Sequence, residues 1–197
     1  MNSFTPLQAA SCSTPIQPLR YPQRGFTLVE LLISLAVMAV LVTFAVPSFH
    51  SLMDSSKLTA ASNSLLSSMY LARSEAIKRG TRVVLCKSAN GIVCADSGGW
   101  EQGWMVFHDA NNNGERDGSE LVIQRIAPLA ASLRLTGNST VAKYVSFLST
   151  GGTRQVGGGF QAGTLTVCNH AAGEARQIVL NAVGRPRIQK ISSTSCA

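Results

Sequence analysis

The chain has 197 residues, enough for one domain of ordinary size with a buried core. Lys and Arg number 17 against 10 Asp and Glu, a formal charge of +7, yet charged residues make up only 14 % of the chain and hydrophobic ones 45 %. That balance excludes a disordered tail and argues against a plain cytosolic enzyme.

Residues 26–46 form an apolar run of 21 with one charge, Glu30, and neither Gly nor Pro. A helix needs about 20 such residues to cross a bilayer, so this segment is expected to span the membrane once. Arg20 and Arg24 precede it and no basic residue follows until Lys57. The positive-inside rule then puts residues 1–25 in the cytoplasm and the remainder outside it, with the inner membrane as anchor. The run is too long, and its end at Val46-Pro47 too unlike a small-residue cleavage site, for an ordinary secretory signal.

Beyond Pro47 apolar residues recur three or four apart at Leu58, Ala61, Leu65, Met69, Ala72 and Ala76, which predicts a helix continuing to Arg79 and stopping at Gly80. Thr59, Asn63, Ser67, Tyr70, Ser74 and Lys78 make its opposite face polar. From Phe26 the helix would run about 80 Å. After Gly80 the pattern changes to eight short β-type runs, at 82–86, 104–108, 121–126, 133–135, 144–148, 165–168, 177–180 and 187–191. One long helix followed by strands is an α+β chain, with an antiparallel sheet packed on the amphipathic half of the helix. Trp100 and Trp104 are expected to fill that interface. Gly151-Gly152 and Gly157-Gly158-Gly159 flank Arg154 in what reads as a mobile hairpin tip.

Four cysteines, Cys86, Cys94, Cys168 and Cys196, lie in the exported part, an oxidising compartment. Proximity favours the pairs Cys86–Cys94 and Cys168–Cys196, and the absence of any CxxC knuckle speaks against zinc. Asp109, Asn111, Asn113, Gly114, Asp117 and Glu120 match an EF-hand calcium loop letter by letter. The flanking runs read as strands, however, and an Asn/Gly-rich turn explains the same residues, so the turn is the preferred reading and no cofactor is expected. His50, His108 and His170 are far apart, no nucleophile motif or phosphate loop appears, and no enzymatic activity is expected.

The entry to the apolar run, Arg24-Gly25-Phe26-Thr27-Leu28-Val29-Glu30-Leu31-Leu32, resembles the processing site of type IV prepilins and pseudopilins. The resemblance implies a type IV pilin-like fold and a division into a cleaved leader (1–25), a transmembrane helix (26–46), its amphipathic continuation (47–80) and a β-rich head (81–197). It implies cleavage by a prepilin peptidase after Gly25 and methylation of Phe26. It also implies assembly with other pilin subunits into a pilus at the cell surface. A carboxylate in hydrocarbon is costly, so Glu30 needs a partner, which in that family is the amine of a neighbouring subunit.

The last third of the chain, residues 121–197, holds eight basic side chains and one acid, Glu174. Within it, Gly184-Arg185-Pro186-Arg187 and Lys190 would hold two guanidinium groups on a short bend suited to phosphates. This motif, the four cysteines and the run from Trp100 to Asn113 resemble the GspH/FimT group of minor pilins and pseudopilins. That resemblance implies sequence-independent binding of extracellular double-stranded DNA during uptake, in natural transformation. Arg185, Arg187, Lys190, Lys143, Arg154 and Arg176 are the expected DNA-binding residues. The alternative is a structural, assembly-priming minor pilin or a pseudopilin of a type II secretion system, without a nucleic-acid role.

Overall fold

The computed structural model describes residues 25–169 and 172–192. Residues 1–24, 170–171 and 193–197, among them Cys12, His170 and Cys196, lie outside them. Two compact units divide the chain between Thr43 and Phe44.

The described part of the first unit is the start of α1 (Leu28–Arg79), where Leu31, Leu35, Val37 and Leu41 are all exposed. Helix α1 is long and apolar enough to cross a membrane. It begins at Leu28 and not at Phe26, because Thr27 caps it. The Thr27 hydroxyl accepts from the Glu30 backbone N–H at 3.2 Å, and Glu30 Oε2 accepts from the Thr27 backbone N–H at 3.3 Å and from its hydroxyl at 3.1 Å. This reciprocal capping box satisfies donors that the first helical turn would otherwise orphan, and it gives the Glu30 carboxylate a partner inside its own chain.

In the second unit the six apolar positions from Leu58 to Ala76 are all buried. Among the described residues they pack against eight strands in two antiparallel sheets, a division that the expectation of a single sheet did not foresee. The first sheet has the order β3 (Val122–Ile126), β2 (Trp104–His108), β1 (Val83–Lys87), β5 (Tyr144–Phe147). The second runs β4 (Leu133–Gly137), β6 (Gly163–Asn169), β7 (Ala172–Leu180), β8 (Pro186–Ser192). Both sheets contribute to one core with the helix, through Val83, Leu85, Val106 and Phe147 on one side and Leu135, Leu165, Ile178 and Leu180 on the other. Trp100 and Trp104 are completely buried there, and their indole N–H groups donate to the Val141 carbonyl at 3.1 Å and the Ser68 hydroxyl at 3.0 Å. A smaller cluster, Val84, Cys86, Met105 and Phe107, lines the opposite face of the first sheet.

Cys86 and Cys94 are joined by a disulfide that closes the loop after β1. Closing a loop this short removes about 2.5 kcal/mol of unfolded-chain entropy in the chain-entropy account. Within that loop Lys87 is buried, its ammonium donating to the carbonyls of Asp96 and Gly98 at 3.3 and 2.8 Å. Cys168 is also disulfide-bonded, and the partner expected for it, Cys196, lies outside the described residues.

Candidate functional site

The expected DNA-binding residues divide into three groups in space. Arg185 and Arg187 belong to the connection from β7 to β8. Residues Asn181–Gly184 form a turn closed by the Gly184 N–H on the Asn181 carbonyl at 2.9 Å, and the Asn181 side chain accepts from the Arg185 N–H at 2.9 Å. Pro186 is buried at the start of β8, and its carbonyl accepts from the Tyr70 hydroxyl of α1 at 3.1 Å. The two arginines are left exposed on either side of this anchored proline.

The Arg154 hairpin docks against the same turn. The Thr153 N–H donates to the Ala182 carbonyl at 3.1 Å, and the Thr153 hydroxyl reaches the Gln161, Asn181 and Ala182 carbonyls. Gln161, fully buried, clamps the hairpin base by accepting from the Ser146 N–H and donating to the Thr140 and Tyr144 carbonyls. At its tip the Gln155 N–H donates to Gly159 and the Gly158 N–H to Gln155. The segment that composition marks as mobile is therefore a stitched hairpin that presents Arg154 on its surface. Among the described residues, no carboxylate lies within ion-pair distance of Arg154, Arg185 or Arg187. Arg73 of α1 packs behind this docking point, its Nε 3.0 Å from where a Cβ on Gly151 would sit. Sequence reading missed Arg73 because its place beside Gly151 depends on tertiary docking.

The other three expected residues do not join them. Lys143 pairs with Asp96 at 2.7 Å, in a cleft of about 450 Å³ whose other walls include Cys94, Arg116 and Tyr144. The Lys143 ammonium beside Asp96 holds that carboxyl below the usual range, and the carboxylate in turn raises Lys143. Arg176 is buried, and its Nη2 donates to the Thr59 hydroxyl of α1 at 2.8 Å. Its register explains this, because Arg176, Ile178 and Leu180 alternate along β7 and share the face turned to the helix. Lys190 stands opposite Arg176, on that face, whereas Arg187 stands opposite Val179 on the other. Strand period 2 puts Arg187 and Lys190 on opposite sides of the sheet, so the assumption that they act together is corrected.

The acidic loop between β2 and β3 uses its ligand-type atoms internally. Asp109 is fully buried, its carboxylate accepting from the Asn113 and Gly114 N–H groups at 3.1 and 2.9 Å. Asp117 Oδ2 accepts from the Asn111 and Asn113 side-chain amides, and Glu120 accepts from the Ala110 and Asp117 N–H groups. Burial, joined by the nearby Glu120 charge, pushes the Asp109 carboxyl up against the pull of the two backbone donors and Arg82. Among the described residues, no group of three or more His, Cys, Asp or Glu side chains is arranged to hold a metal ion. His108 shares a 2.7 Å hydrogen bond with the Thr81 hydroxyl.

The profile of the family described as Type II transport protein GspH matches residues 61–184, more than half of the chain. The chain belongs to this family. A second profile, the Prokaryotic N-terminal methylation motif, matches residues 20–46 of this GspH-family chain. No curated protein matches it. Among solved structures, the type IV minor pilin FimU of Pseudomonas aeruginosa PAO1 superposes with a TM-score of 0.56 at 19 % identity, covering 72 % of this chain and 96 % of that one. A second crystal form of FimU gives 0.50 at 17 % identity, covering 71 % and 100 %. The minor pseudopilin EpsH of the Vibrio cholerae type 2 secretion system gives 0.46 at 13 % identity, covering 68 % and 96 %. The long helix against antiparallel sheets is thus the type IV pilin-like fold.

Proposed function

We propose that this GspH-family chain is a minor type IV pilin that binds extracellular double-stranded DNA, without regard to sequence, during uptake in natural transformation. The observation that carries this reading is the exposed trio Arg154, Arg185 and Arg187, held by backbone docking and, among the described residues, with no carboxylate within ion-pair distance. Guanidinium groups stay charged and meet phosphate oxygens bidentately, so a fixed set of them favours a polyanion. Maturation is by prepilin peptidase cleavage after Gly25 and methylation of Phe26. Assembly with other pilins runs through α1 and Glu30, with the head in the periplasm before the subunit enters the pilus.

The test is anisotropy of a random-sequence duplex with the full chain in neutral detergent, across a salt series. The wild type is expected to bind at low salt. The Arg185→Ala/Arg187→Ala variant should bind more weakly everywhere, with a log–log salt slope shallower by about 1.8, the share of two phosphate contacts. Binding equal to wild type would remove the mechanism. Failure of the wild type to bind would leave the second reading, a structural, assembly-priming minor pilin or a pseudopilin of type II secretion, the latter in keeping with the description of the matching family.

No cofactor and no catalysis are part of this function. The donors and acceptors of the Asp109 loop support a self-contained turn, so melting curves in calcium and in chelator are expected to superpose. A calcium-dependent rise in Tm would place the ion among Asp109, Asn111, Asn113, Asp117 and Glu120 instead.

A further inference from the structure

Arg176 and Lys190, excluded from the exposed trio, share a cleft of about 210 Å³ with Glu174, Ala175, Ile191 and Ser192. Arg176 is only 8 % exposed, yet among the described residues its guanidinium has one neutral acceptor, the Thr59 hydroxyl, and its Nε has none. That hydroxyl already donates to the Ser55 carbonyl at 2.8 Å. Directly across the strand pair stands Lys190, a second cation on the same face. Among the described residues, no carboxylate lies within 4.0 Å of either charged group. Like charges opposite one another weaken a sheet, and a buried charge without a counter-ion is costly. The acid at hand, Glu174, lines the same cleft and accepts from the Ser55 hydroxyl at 3.3 Å, so two cations face one carboxylate already engaged.

We infer that this cleft is an oxyanion site of the phosphate class, in which Lys190 and Arg176 neutralise the ligand and Thr59 orients the Arg176 guanidinium. A phosphate oxyanion supplies the negative charge that Glu174 alone does not, and a planar guanidinium beside an ammonium matches its oxygens. The inference is independent of the DNA reading, because it rests on the opposite face of β8 from Arg187.

The test follows the melting of the full chain in neutral detergent with inorganic phosphate, against chloride at equal ionic strength. Phosphate is expected to raise Tm above the chloride control. Lys190→Ala should weaken that response about tenfold in phosphate concentration, the loss of one charge-assisted hydrogen bond. Glu174→Gln should strengthen it, and Arg185→Ala/Arg187→Ala should leave it unchanged. A response no greater than that of chloride, or one unaltered in Lys190→Ala, overturns the site. A parallel arm with a short DNA duplex assigns the source. If Lys190→Ala weakens both ligands, the site takes a phosphodiester; if it weakens phosphate alone, the site takes the free ion.

Discussion

Trp104→Ala is expected to cost the head about 3–5 kcal/mol, a large share of the 5–15 kcal/mol that holds a typical domain together. Trp104 is completely buried on β2 and lies in the same core as Leu65 and Met69 of α1. Truncation leaves a cavity between a sheet and a helix that are both regular elements and collapse poorly around a void. It also removes the indole N–H from the Ser68 hydroxyl, which keeps its own donation to the Gln124 side chain at 2.8 Å. Trp104→Phe separates the two contributions, since it keeps most of the volume and loses the donor, at about 1 kcal/mol. Thermal unfolding followed by circular dichroism should show Tm falling by about 6–20 °C for the alanine variant, at 2–4 °C per kcal/mol in a chain of this size. A fall no larger than that of Trp104→Phe would mean that the helix and the first sheet do not depend on this indole for their contact.

The helix–sheet interface was legible because its signal is periodic: apolar residues at helical spacing from Leu58 to Ala76 can face only one way, and all six are buried. Strand positions were legible where β-branched and aromatic residues cluster. β7 escaped over its first half, since Ala172-Gly173-Glu174-Ala175-Arg176 has little strand propensity and is extended because β6 and β8 pair with it on both sides. Two details were readable and were not read. Thr27 and Glu30 have capping-box spacing, and Arg187 and Lys190, three apart on a strand, belong to opposite faces. The docking of the 151–153 segment on the β7–β8 turn has no local signature at all, because it joins stretches distant in sequence through backbone atoms. The candidate site was therefore legible in its residue types, and its division into an exposed trio, an ion-paired lysine and a pair on the helix-facing side of β7 and β8 depends on tertiary packing.

Gly184→Ala is expected to destabilise the head by about 2–5 kcal/mol and to weaken duplex binding although every arginine is retained. Gly184 has φ +74°, where a residue with a Cβ pays roughly 1–2 kcal/mol. The added methyl would also collide with the Gly151 carbonyl oxygen, a backbone atom. Gly151 cannot retreat easily, because it is itself at φ +78° with Ile77 and Arg73 of α1 behind it. The strain of overpacking, about 1–3 kcal/mol, then adds to the conformational cost. Gly158→Ala is the control, for Gly158 also has positive φ, at +91°, but open space around the new methyl, so it should pay the conformational cost alone. The two variants separate steric docking from backbone strain within one hairpin-and-turn unit. Relief of the collision by undocking would break the Thr153 hydrogen bonds to Ala182 and release Arg185 from its fixed relation to Arg154. If Gly184→Ala unfolds no more easily than Gly158→Ala, or binds duplex as wild type does, then the close approach of the two backbones is not what holds the arginines in place.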